Sequence, residues 1–225
     1  MLKTALLAVA VLSSSPISAS QPDPENDAWP AWALAEEELK ARIARVNEGD
    51  LDFLAQAPSD PVHYHQNRIV LTASSLRNGW VDLEQCHRHL DRVAEAQILF
   101  HPERSRALKV TRFKNMQSAV AERNTIQLRH VEAASEVCLS GQTKALVEIG
   151  DGVYELRNGP FMRRFLDGYY PMRVSLQIEY PTQLTLADFS PTSQPGFAVT
   201  SAPGRVEAEA LFEGQLSTRF RFLAD

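Results

Sequence analysis

Cysteine is scarce in this sequence: 225 residues contain two, Cys86 and Cys138. That excludes a disulfide-dense mini-scaffold and the repeated CxxC units of a zinc ribbon. An excess of positive charge is also missing. Lys and Arg total 23 against 28 Asp and Glu, a formal net charge of −5, so nucleic acid is not an expected partner. Apolar runs long enough to span a bilayer are absent. The longest, residues 4–12 (TALLAVAVL), is about half of the roughly 20 residues a spanning helix needs. No G-x-S-x-G, H-E-x-x-H, Walker loop or G-x-G-x-x-G occurs, which lowers the expectation of catalysis. No strand–helix rhythm supports a parallel α/β fold.

The amino terminus reads as an export signal. Lys3 precedes the short apolar run, a small polar stretch follows to residue 20, and cleavage is expected near Ala19. The mature chain would carry no transmembrane anchor and lie in the periplasm or outside the cell. Arginine outnumbers lysine, a composition that fits a bacterial exported protein. In such an oxidising compartment Cys86 and Cys138 have one pairing available, and a disulfide is the expected state.

Residues 21–30 carry three prolines and three acids and read as a flexible segment. Residues 31–46 place Leu34, Leu39, Ile43 and Val46 on one stripe and charges on the other, which predicts an amphipathic helix. The pattern then changes to a period of two. Met172, Val174, Leu176, Ile178 and Tyr180 alternate with polar residues, as do Val206–Phe212 and Leu216–Phe222. Such alternation marks strands with one buried face. Glu213-Gly214 and the turn at 150–152 predict hairpins. Weaker strand signals recur about every ten residues, and the sum predicts an antiparallel β-sandwich or barrel of ten to twelve strands. The organisation expected is a signal peptide (1–19), a flexible segment with one helix (20–61) and a β-rich domain (62–225), with 141 as an alternative sub-boundary.

Two groups of residues carry candidate chemistry. His63-Tyr64-His65 and Cys86-His87-Arg88-His89 are H-x-H units. On a strand, positions i and i+2 face one side, so His63, His65, His87 and His89 make a candidate four-nitrogen set for copper or zinc. The competing reading is two solvated polar segments. His130 shares parity with Ile126 and Leu128 and reads as a core or edge residue. The second group is residues 158–173, NGPFMRRFLDGYYPMR, where Arg163, Arg164, Tyr169, Tyr170 and Arg173 combine planar cations with aromatic rings. They are candidate contacts for an envelope protein, an anionic small molecule or a glycan. The competing reading is a structural connection.

These features predict an exported, non-catalytic β-protein that binds a ligand or partner. A periplasmic copper- or zinc-binding protein is the first alternative and an envelope hydrolase the second. No cofactor is expected beyond that copper or zinc.

Overall fold

The computed structural model describes residues 47–224. The expected signal segment and the 31–46 helix lie outside the described residues. Alternating apolar side chains become strands almost everywhere the pattern predicts them. In chain order these are β1 (Asp52–Phe53), β2 (His63–Val70), β3 (Trp80–Leu90), β4 (Val93–Leu99), β5 (Ser105–Glu122) and β6 (Thr125–Lys144). There follow β7 (Leu146–Gly150), β8 (Val153–Phe161), β9 (Arg164–Phe165), β10 (Gly168–Tyr169) and β11 (Met172–Glu179). The last four are β12 (Leu184–Ser190), β13 (Phe197–Ala202), β14 (Arg205–Glu213) and β15 (Leu216–Ala224). Among the described residues one short helix, α1 (Ser75–Asn78), links β2 to β3.

The large sheet runs β1-β14-β11-β2-β3-β6-β4, with β13 on β14 and β5 on β6; a four-stranded sheet runs β12-β15-β8-β7. Apolar residues of both sheets share one core. Leu176, Ile178, Phe212 and Ile69 come from the large sheet, and Leu156, Leu216, Phe220 and Phe222 from the small one. This is a β-sandwich, as the patterning predicts. A second apolar cluster sits on β6, from Ile126, Leu128, Val131, Val137 and Leu139, and packs with Val93, Ala96 and Ile98 of β4.

Several particulars differ from the sequence-based expectation. The sheet is mixed: β11 pairs β14 antiparallel but β2 parallel, Val174 lying against His65. Parallel neighbours need a long crossover, which the whole block from β3 to β10 provides. Ahead of residue 62, β1 pairs β14 and Asn47 bridges Tyr169. Gly141 lies inside β6, paired with Leu83, and marks no break.

The long ribbon β5–β6 is bent by bulges. Its register slips between Arg106 and Lys109 and between Lys114 and Met116, and Ala107 and Asn115 hold positive φ. Bulges of this kind coil a ribbon. His130 also has φ 48° and is exposed, so it belongs neither to the core nor to a buried edge. A pattern that counts residues two by two loses parity at such a site.

Cys86 and Cys138 are bonded to each other, directly opposite on β3 and β6. Their sequence separation of 52 gives the bond about 4 kcal/mol in the chain-entropy view. Replacing both by alanine is therefore expected to lower the urea midpoint by that equivalent. An unchanged midpoint would mean strand pairing alone already holds the two positions together.

Candidate functional site

The core face of the large sheet carries an unexpected polar island. The pairing register sets two rows side by side. In one, Ala210, Val174, His65, His87 and Val137 are successive neighbours across β14, β11, β2, β3 and β6; in the next, Ala208, Leu176, Asn67, Gln85 and Leu139. His65, His87, Asn67 and Gln85 thus form a square bounded by apolar residues on both sides, where the two hydrophobic clusters meet. All four are buried. Buried polar groups are tolerated only when they are hydrogen-bonded, and these are. His65 Nε2 and Asn67 Oδ1 are 2.8 Å apart, and Gln85 Nε2 and His87 Nε2 are 2.6 Å apart.

His63 extends the island to the rim. It shares the core-facing parity of His65, and its Nε2 lies 2.9 Å from His87 Nδ1. The His87 ring stands between the other two, with centroids 5.1 Å from His63 and 4.4 Å from His65; the edge of Phe161 closes over His65 at 5.0 Å. The bonds fix the proton positions. An amide nitrogen only donates, so in this arrangement His87 accepts at Nε2 and carries its proton on Nδ1, which donates to His63 Nε2. Asn67 Oδ1 only accepts, so His65 is protonated on Nε2.

Burial keeps all three rings neutral. Desolvation first, then Arg163 and, more weakly, His89, against an opposing pull from Asp91, bring the pKa of His63 down to about 4. Desolvation lowers that of His65 to about 3, despite the Asn67 bond, which acts the other way. His87 falls well below the usual imidazole range, through desolvation and then its two histidine neighbours.

The fourth expected nitrogen is elsewhere. Unbroken pairing would set His89 opposite His63. A bulge between Arg88 and Leu90 intervenes, His89 takes φ 55°, and its side chain is exposed. The structure therefore brings together His63, His65 and His87 and leaves His89 out. Among the described residues, no group of three or more His, Cys, Asp or Glu side chains is disposed, as the rings stand, to hold a metal ion. Asn67 and Gln85 were not anticipated. Their signal was present in the sequence, as polar residues on the core parity of β2 and β3.

The arginine and aromatic residues separate into two places. Arg163 is a brace: it donates to both oxygens of Asp91, at 2.6 and 3.0 Å, and lies against the Phe165 and Tyr170 rings. It holds the small hairpin β9–β10, in which Arg164 pairs with Tyr169 and lies over its ring. Tyr169 N donates to Asn47 O at 3.0 Å, and the Tyr170 hydroxyl donates to Asp167 at 2.6 Å. At the tip, Leu166 is fully exposed and Phe165 is 40% exposed.

Arg173 lies instead on the outer face of the large sheet. It stacks over Tyr64 at 4.6 Å, and both donate to Glu209, each at 3.2 Å. Together with His89, Pro58 and Pro61 these three residues line a groove of about 590 Å³ under the 54–62 segment. The volume falls within the usual range for ligand sites. The arginine is already neutralised there, which disfavours a purely anionic ligand.

No protein-family model and no curated protein matches the sequence. Among solved structures, a two-domain M1 zinc metallopeptidase mutant bound to L-tryptophan aligns at TM-score 0.40 and 10% identity, over 79% of this chain and 44% of that one. An M1 zinc metallopeptidase mutant from Deinococcus radiodurans, bound to a Tyr-Ser-Ala substrate, aligns at TM-score 0.40 and 8% identity, over 79% and 43%. The chain thus spans less than half the length of either protein.

Proposed function

We propose that this chain is an exported, non-catalytic β-sandwich that binds a partner protein through the tip of the β9–β10 hairpin. The observation that carries the reading is an apolar tip on a braced support. Leu166 is fully exposed and Phe165 partly so, while the base is tied by the bidentate Arg163–Asp91 pair. An apolar anchor that is already ordered loses little entropy on binding, and such anchors dominate interface energetics. Arg164 beside it suits a partner that offers a carboxylate at the rim of the contact. The export pattern at the amino terminus and the Cys86–Cys138 bond support an oxidising compartment.

The test is a photo-crosslinking residue placed at position 166, with position 147 as control. Val147 is 46% exposed but lies on β7. A discrete adduct at 166, missing at 147 and weakened by Arg163→Ala, is the expected result. Equal labelling at both positions, or none at either, would remove the hairpin from consideration.

A further inference from the structure

We infer that the groove beneath the 54–62 segment binds a short extended peptide that carries a basic side chain. The inference is independent of the hairpin reading.

The segment is an arch with fixed feet and a loose span. Phe53, Phe212, Met172 and His63 are successive neighbours in one row across β1, β14, β11 and β2. Three strand spacings separate Phe53 from His63, about 14 Å, whereas the ten residues of chain that join them reach about 33 Å when extended. The surplus chain passes over the outer face of the sheet. At the first foot Leu54 N donates to Leu211 O at 2.9 Å, and Gly196 packs so closely that an added Cβ would stand 2.7 Å from Leu54 O. The second foot is the start of β2. Between the feet residues 55–61 are all exposed, and among the described residues none of them makes a backbone hydrogen bond. The arch therefore sets unpaired N–H and C=O groups beside the groove, while Pro58 and Pro61 restrict its conformations.

The lining separates the ligand classes. Leu54, Ala57, Val62 and Leu211 give the groove apolar sides, which suit small aliphatic side chains better than the hydroxyls of a saccharide. At the floor, Arg173 bonds Glu209 through Nε. Its terminal nitrogens and the remaining lone pairs of Glu209 form a donor and an acceptor side by side, the complement of a peptide unit. In strand-like recognition, main-chain bonds supply affinity and side-chain contacts supply selectivity.

Charge sets that selectivity. Of the Asp, Glu, Lys and Arg residues that line the groove, Asp60 and Glu209 are acids and Arg173 is the base. A lysine or arginine side chain of the ligand is favoured there and a carboxylate repelled. The acids are exposed, so solvent screening keeps the preference modest.

The experiment titrates isotope-labelled, disulfide-intact protein, followed by amide NMR at low salt. The probes are three capped peptides: acetyl-Ala-Val-Lys-Val-Ala-amide and the same peptide with norleucine or glutamate in place of lysine. The lysine peptide is expected to bind saturably and about two- to fivefold tighter than the norleucine peptide, with the glutamate peptide weakest. The amides of Ala57, Ser59 and Asp60 are expected to shift and to gain protection from hydrogen exchange. Ala198 of β13 is exposed and lines the groove; Thr200, two residues further along the strand, is exposed and does not. Ala198→Trp is thus expected to abolish binding and Thr200→Trp to leave it unchanged. Absence of saturable binding, binding indifferent to Ala198→Trp, or equal affinity for all three peptides would each overturn the inference, as would a preference for glutamate.

Discussion

The protein is expected to lose stability steeply as pH falls below about 6.5, well before its carboxylates titrate. In the unfolded chain the imidazoles protonate around 6.5. In the fold, burial first and neighbouring histidines second hold His65 down to about 3 and His87 well below its usual range. Above 6.5 both states are neutral at these rings and no difference arises. Below it the unfolded chain takes up protons that the fold refuses, so each such group costs about 1.4 kcal/mol per pH unit. The loss ends only where the folded protein itself protonates. Two fully buried rings give about 3 kcal/mol per unit, and His63, with its folded value of about 4, adds to this down to that pH. A typical domain holds 5–15 kcal/mol in total, so acid unfolding near pH 4–5 is the expected outcome. Urea midpoints measured from pH 8 to pH 5 provide the check. A flat profile would mean the rings are charged or solvated in the fold.

Gly214→Ala is expected to be the most damaging single methyl addition in the chain. The residue makes the turn between β14 and β15 at φ +83°, and an added Cβ would stand 1.9 Å from the carbonyl oxygen of Asp50. That neighbour is backbone, so a rotamer change gives no relief. The turn must part from the segment leading into β1, and a cost on the order of 4 kcal/mol or more is expected. Gly152→Ala is the matched control. Its φ is +75°, but the nearest atom to the new Cβ would be 3.6 Å away, leaving only conformational strain of about 1–2 kcal/mol. Chemical denaturation of the two variants side by side separates close approach from φ preference. Equal losses would show that the Asp50 contact yields freely.

How much of this was legible beforehand depends on where the period of two holds. From Met172 to Tyr180, Val206 to Phe212 and Leu216 to Phe222 the alternation is strict, and those strands form the sandwich core as read. The Glu213-Gly214 turn was legible for the same reason, because only a glycine relieves the backbone there. His63, His65 and His87 were legible as a group because no bulge separates them in register. His89 and His130 were not. Each sits at a positive-φ position that reverses parity, and nothing in a histidine's chemistry announces this. Asn67 and Gln85 went unread because a polar residue on a core parity looks like noise until its cross-strand neighbour is known. The parallel contact of β2 with β11 joins segments with the whole β3–β10 block between them, beyond the reach of local pattern. The division of labour between Arg163 and Arg173 depends on Asp91 and Glu209, which lie on other elements.

The position of β15 has a consequence for the order in which the molecule can be made. This strand, which follows the other fourteen described strands, lies inside the four-stranded sheet, between β12 and β8. Until it emerges, β12 has no partner in that layer, and Phe161, whose ring lies against His65, belongs to a layer of two paired strands, β7 and β8. Synthesis from the amino end delivers β15 after the other fourteen described strands. The β2–β3 pair is local in sequence and can assemble early, but its imidazoles stay wet until the final strand docks. Closure of the small sheet over the island is therefore expected to wait for β15 and to be cooperative rather than stepwise.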